Sequence, residues 1–393
     1  MTEIVIGLTG LFGSGCGTAA KYLKEKGFKV LSLTDRIKKE CRIREITNPQ
    51  RHDLQNIGDE LRKKFGSDFL ARELKKKIHK IDKKIVIKSI RNNHEATFLR
   101  NSLQNFYLIN INAPVEIRYE RSERTRDYTS KADFKRDDER DAGIGQPDHG
   151  QQVNKCGELA DIIINNSWRK RTFKQKLDYY LELIKKPGSR PPSDIEINMA
   201  QAYFWSLRSQ CLRRKVGAII IKNGHTIASG FNDVPRKTIE ENNVQLEIRA
   251  ASCKEQFRKC YRKVIKNCLS CEAPISAINP KCDVCNTEVG KEQAAVLNKH
   301  LDLCLAIHAE ERAILQVAKL GGQSLDKAAL YTTTFPCQLC AKIIFEVGIS
   351  EVIYISPYPF PQAKLLLDRA KVKLTMFEGV KSKAFDKLYG LSI

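Results

Sequence analysis

The chain has 393 residues, a formal net charge of +22 and 42% apolar content, which is enough for two globular domains with ordinary cores. No run of eighteen apolar residues occurs, which excludes a membrane-spanning helix, and Met1 to Gly7 enters a strand pattern with no secretion signal. Thirteen cysteines without export predict reduced thiols and metal ligation in a cytoplasmic protein, rather than a disulfide framework. The basic balance admits nucleic acid as a partner but does not favour it, because runs such as Lys75-Lys76-Lys77 and Lys83-Lys84 read as solvated helix faces. A polyphosphate ligand would gain from the same field.

Ile4 to Thr9 is a short apolar strand that runs into Gly10-Leu11-Phe12-Gly13-Ser14-Gly15-Cys16-Gly17-Thr18 and then a helix. Strand, glycine-rich turn and helix N-terminus form a backbone cradle for phosphate, with Gly10, Gly13, Ser14, Gly15, Gly17 and Thr18 as its candidate residues. A P-loop places Lys and then Ser or Thr after its last glycine; here those places hold Cys16 and Gly17, so the expected ATPase activity is weak or absent. Strands at 28–32, 84–90, 106–112 and 161–165 alternate with helices, as in a parallel sheet. Residues 130–150 lack periodicity and read as a mobile, lid-like loop. The stretch resembles the dephospho-CoA kinase and nucleoside-monophosphate kinase group through Gly7-Leu8-Thr9-Gly10, Ile90-Arg91-Asn92 and the arginine-rich segment from Arg118 to Arg140. That resemblance implies a P-loop kinase-like domain over 1–186 with a regulatory nucleotide as a possible ligand.

Lys186-Pro187-Gly188-Ser189-Arg190-Pro191-Pro192 reads as a linker, placing the boundary at 187–193 and a second domain at 194–393. Asp194 is expected to cap a helix bearing Met199, Ala202, Tyr203 and Trp205. Two strands follow, joined by the Asn223-Gly224 turn. An insertion then carries Cys268-Leu269-Ser270-Cys271 and Cys282-Asp283-Val284-Cys285, paired knuckles that suit a closed Cys₄ structural zinc over 268–285, with His300, Cys304, Cys253 or Cys260 as alternative ligands.

His308-Ala309-Glu310-Glu311 opens one amphipathic helix, and Phe335-Pro336-Cys337-Gln338-Leu339-Cys340 opens another. His308, Cys337 and Cys340 supply three zinc ligands and leave a fourth position for water. Glu310, two residues after the histidine, is placed to exchange protons there without ligating the metal; Glu311 is expected to be dispensable. The pairing of H-x-E with P-C-x-x-C is the signature of zinc nucleobase deaminases.

The run Ser209 to Asn232, the His308–Leu315 helix and Tyr331 to Lys342 resemble deoxycytidylate deaminases. The resemblance implies a cytidine-deaminase-like three-layer α/β domain with a mixed sheet, a catalytic zinc, Glu310 as proton shuttle, Asn232 meeting the sugar hydroxyl, and Arg213 and Arg214 as phosphate contacts. Ala309, between ligand and acid, joins the substrate-binding set. Both halves together resemble the bacterial anti-phage dCTP deaminases, implying deamination of dCTP or dCMP in defence. The alternatives are a housekeeping dCMP deaminase supplying dUMP, a nucleic-acid cytosine deaminase and a non-catalytic nucleotide sensor. A homo-oligomer is expected from the same resemblance.

Overall fold

The computed structural model describes residues 4–78, 84–125, 128, 130–167, 170–241, 244–250, 252, 255, 265–267, 271, 274–276, 284–285, 304–356 and 361–390. They form two compact units, one of Met1–Glu196 with Glu378–Ile393 and one of Ile197–Phe377.

In the first unit the order is β1 (Ile4–Thr9), α1 (Cys16–Glu25), β2 (Lys29–Ser32), α2 (Thr34–Ile43), α3 (Arg51–Phe65), α4 (Phe69–Lys75) and β3 (Lys84–Lys88). There follow α5 (Asn93–Ser102), β4 (Phe106–Asn112), α6 (Val115–Arg124), α7 (Lys131–Ala142), α8 (Val153–Leu159), β5 (Ile162–Asn165) and α9 (Lys170–Lys185). The strands lie parallel in the order β5-β4-β1-β3-β2, with Ile6 opposite Val86 on one side and Tyr107 on the other. Their near-continuous apolar runs are what a sheet covered on both faces requires. Val5, Ile85, Ile87 and Leu108 bury against Ile37, Leu61 and Leu99 from the helices. The glycine-rich turn leaves the carboxyl end of β1, where open α/β sheets bind their ligands.

Four expectations are corrected here. Residues 131–142 are helical rather than a loop: the Ser130 hydroxyl accepts from the Ala132 and Asp133 amides, and Gly143 ends the helix at φ 90°. The helix has little apolar period because Asp138 and Asp141 anchor it to Arg118 and Arg91 instead. The segment 187–193 is bolted down: the Gly188 amide donates to the Leu388 carbonyl, and Arg190 pairs with buried Glu196 while lying over Tyr179. Finally, residues 378–393 do not join the second unit. Gly379–Val380 adds an antiparallel edge strand to β5, and the Val380 amide donates to Glu196. The following helix is capped by Ser193, whose hydroxyl and amide engage Glu196, rather than by Asp194.

That helix, α10 (Asp194–Leu207), leads to β6 (Gly217–Lys222), β7 (His225–Phe231), β8 (Arg236–Glu241), β9 (Val244–Arg249), β10 (Ile265–Asn267) and β11 (Pro274–Ser276). Then come α11 (Ala309–Lys319), β12 (Ala329–Thr334), α12 (Gln338–Glu346), β13 (Glu351–Ser356), α13 (Pro361–Arg369) and β14 (Lys373–Met376). The main sheet runs β14-β13-β12-β6-β7, parallel from β14 to β12 and antiparallel from β12 to β7. Asn223 (φ 51°) and Gly224 (φ 80°) make the β6–β7 turn as expected.

Alternation along β6 and β7 puts helices on both faces. Gly217 faces α10 and shares its side with Phe231, which stacks on Trp205. Gly230 and Ala218 face the other way, where Ala309 and Ala313 of α11 close over them. The second unit is therefore the three-layer α/β arrangement expected from the sequence.

Candidate active site

Two helix N-termini meet beside the carboxyl end of β12. His308 is the N-cap of α11 and Cys337 the N-cap of α12, both with extended backbone, and Cys340 lies in the first turn of α12. His308 Nδ1 stands 3.2 Å from Cys337 Sγ and 3.3 Å from Cys340 Sγ, and the three ligand atoms lie within 4.8 Å of one another. Tetrahedral coordination at ordinary Zn–N and Zn–S lengths separates such atoms by about 3.6 Å, so one nitrogen and two sulfurs in this spacing fit a zinc ion. The Cys337 thiol is held well below the usual thiol range, foremost by its hydrogen bond with Cys340 and then by the His308 imidazole; the Cys340 thiol is correspondingly pushed up. A thiolate is the form that binds metal.

Glu310 is buried in the first turn of α11. Burial pushes its carboxyl above the usual range, opposed by the charge of His308. The Thr332 hydroxyl, on β12, donates to Glu310 Oε1 at 3.1 Å and is shared with the Thr334 carbonyl at 2.9 Å. A buried carboxyl beside a three-ligand cluster is placed for proton exchange there. Glu311 is not idle: its carboxylate accepts the His308 amide at 3.3 Å and closes a capping box around the ligand residue.

Asn232 is nearly buried, and its amide is engaged at both ends: Oδ1 accepts from the Val216 amide at 2.6 Å and Nδ2 donates to the Arg214 carbonyl at 2.8 Å. It thereby fixes the 214–216 segment as the chain enters β6. Arg213 is exposed and Arg214 half-buried on that segment. Ala309 is fully buried in the core, with its carbonyl against Gly230. Arg312 is a residue that motif reading passed over. Its guanidinium donates to the carbonyls of Phe231, Asp233 and Val234 at 2.7–2.9 Å, tying the Asn232 turn to α11. Thr332 stood inside the Tyr331 to Lys342 motif without a role; its place two residues before the end of β12 was the available signal.

Cys268 and Cys282 lie outside the described residues, and Cys271 and Cys285 are exposed turn residues. In the first unit, the glycine-rich turn borders a cavity of about 750 Å³. Gly10, Gly13, Gly15, Gly17 and Thr18 line it, whereas Ser14 is turned inward, its carbonyl accepting from Asn166 at 2.7 Å.

The family model "Cytidine and deoxycytidylate deaminase zinc-binding region" matches residues 193–356, and an AAA-domain model matches residues 6–143. The deoxycytidylate deaminase of Schizosaccharomyces pombe is 28% identical over 283 residues, 69% of this chain and 70% of that protein. The deoxycytidylate deaminase of Enterobacteria phage T2 is 31% identical over 161 residues, 40% of this chain and 77% of that protein. Among solved structures, the cyanophage S-TIM5 dCMP deaminase in complex with dCMP and dUMP aligns over 48% of this chain and 99% of its own, at 23% identity and a TM-score of 0.31. On the extent of the phage match and on the family model that spans both halves of the ligand cluster, the chain belongs to the deoxycytidylate deaminase family.

Proposed function

We propose that this protein hydrolytically deaminates deoxycytidine nucleotides, dCMP or dCTP, to the corresponding deoxyuridine nucleotides. The observation that carries the reading is Glu310, buried and steadied by Thr332, beside the converging His308, Cys337 and Cys340. His308, Cys337 and Cys340 would hold a zinc ion, which would supply Lewis-acid activation of water. Glu310 takes a proton from the attacking water at its carboxylate and delivers it to N3 of the cytosine ring as the water oxygen bonds to C4; it then takes the proton of the new C4 hydroxyl and passes it to the amine, which leaves as ammonia. Thr332 keeps Oε1 oriented through that exchange. Arg312 and Asn232 hold the two segments that border the substrate, with Arg213 and Arg214 as phosphate contacts on the second.

A structural zinc on Cys268, Cys271, Cys282 and Cys285 completes the proposal, giving two zinc ions per chain by elemental analysis. Assembly into a homo-oligomer is proposed on the exposed apolar side chains of α10, Phe204 and Leu207, and is read by sedimentation velocity. The substrate test incubates the zinc protein with dCMP, dCTP, CTP and a cytosine-bearing oligonucleotide and follows uracil formation. Conversion of a deoxycytidine nucleotide alone supports the reading; conversion of the oligonucleotide alone replaces it with nucleic-acid editing, and no conversion leaves a nucleotide sensor. Preference for dCTP over dCMP favours nucleotide depletion in phage defence, and the reverse favours dUMP supply.

A further inference from the structure

We infer that Arg208 and Arg236 form an anion-binding rim beside the candidate active site, which makes the enzyme prefer a deoxycytidine triphosphate to the monophosphate; the inference rests on the deaminase reading above. The two residues come together on Phe231, the last residue of β7. The guanidinium carbons of Arg208, Arg236 and Arg312 stand 5.2, 5.0 and 5.2 Å from the centre of its ring, so they lie within about 10 Å of one another. Trp205 stacks on Phe231 with ring centres 6.1 Å apart and planes 9° from parallel, and Arg208 also lies 5.7 Å from the centre of the Trp205 ring.

This cluster borders the catalytic helix. Ile307, the residue before His308, exchanges both backbone hydrogen bonds with Asp233, at 3.0 and 3.2 Å, and the Asp233 carboxylate pairs with Arg236. On the other side, the hydroxyl of Ser209, next in the chain to Arg208, donates to the Asn232 carbonyl at 2.6 Å. Arg208 and Arg236 are thus carried by segments that flank Asn232 and the first ligand residue. With the base beside Glu310 and the sugar at Asn232, a phosphate chain that continues past Arg213 and Arg214 meets them.

Charge in the cluster is unbalanced. Against three guanidinium groups stands Asp233, which Arg236 engages, while the nearby Glu311 carboxylate accepts the His308 amide. Arg312 uses its donors on three backbone carbonyls, so Arg208 and Arg236 carry the charge left for a ligand. Burial and then the charge of Arg236 push the Arg312 guanidinium down, and Arg208 adds to that push against Asp233 and Glu311. Arg208 is exposed and, among the described residues, has aromatic contacts only. A guanidinium over aromatic rings is held through its face, and its N–H donors remain at the edge in a fork that matches phosphate oxygens. The additional charge of a triphosphate is what such a field attracts.

The test has a binding arm and a turnover arm, both on the full-length protein. Trp168→Phe leaves Trp205 as the sole tryptophan, so its emission reports this cluster. Inorganic tripolyphosphate should change that emission at concentrations about tenfold or more below those orthophosphate needs. Arg208→Ala should raise the tripolyphosphate requirement about tenfold with thermal unfolding unchanged, and Arg208→Lys should recover part of the loss. With Trp168 intact, Arg208→Ala should lower the ratio of kcat/KM for dCTP to that for dCMP by about tenfold. The inference is overturned if Trp205 emission ignores tripolyphosphate, or if Arg208→Ala leaves either the titration or the ratio unchanged. A Trp205 response that Arg208→Ala weakens, in a protein that deaminates neither nucleotide, upholds the rim as an anion site and refutes the deaminase reading instead.

Discussion

Gly230 is the point at which β7 touches the catalytic helix, so Gly230→Ala tests how the site is held. A Cβ built there meets the Ala309 carbonyl oxygen at 2.1 Å and the Ala313 amide nitrogen at 2.7 Å. Both are backbone atoms of α11, which cannot rotate aside as a side chain would. An ordinary contact needs about 3.4 Å, so α11 must lift from the sheet by about 1.3 Å. Overpacking of this kind costs typically about 1–3 kcal/mol, and the upper end applies because two backbone atoms obstruct. In a unit of this size that lowers Tm by about 6–12 °C. The same shift carries His308 and Glu310 away from Cys337 and Cys340, which sit on a different helix, and a 1 Å misplacement can cost about 100-fold in rate. The assay is thermal unfolding with zinc content and deamination rate on one preparation. Ser229→Ala, whose side chain points to the opposite face, is the control and should stay within about 0.5 kcal/mol. Wild-type Tm and wild-type rate in Gly230→Ala would refute the packing argument.

Thr332→Val removes the hydroxyl that donates to Glu310, a hydrogen bond to a charged group worth about 1.5–3 kcal/mol; deamination should slow by about 10- to 100-fold. Since that bond lowers the Glu310 pKa, the acid limb of the pH–rate profile should also move to higher pH. Arg312→Ala takes donors from three carbonyls of the Asn232 turn, so KM should rise about tenfold with zinc content unchanged, and Arg312→Lys should recover part of it. Burial lowers the pKa of Lys381 from 10.5 to about 8. Between those pH values the unfolded chain binds more protons than the folded one, so stability of the first unit should rise by about 3 kcal/mol as pH increases from 8. Urea unfolding should show the rise in the wild type and a flatter profile in Lys381→Met.

The parts of the fold readable in advance were those written in uninterrupted pattern. The apolar runs at β1, β3, β4 and β5 announce a parallel sheet, and Asn223-Gly224 announces the hairpin turn. The two ligand-bearing segments were equally legible, because side-chain type and spacing carry the chemistry directly. What stayed hidden was long-range and polar. Helix α7 is anchored by ion pairs to residues far back in the chain, which leave no apolar period. Gly379–Val380 is too short for strand alternation and finds β5 only through tertiary pairing. Thr332, Glu311 and Arg312 act on atoms distant in sequence or on backbone groups, so their residue types alone announce nothing.

The central claim is that Glu310 moves protons beside a metal held by His308, Cys337 and Cys340. The most direct measurement is the rate of uracil formation from dCMP and dCTP by Glu310→Ala and the wild type at matched zinc content. The account predicts equal zinc and a rate about 10²–10⁴ lower in the variant. Equal zinc with an undiminished rate would contradict it.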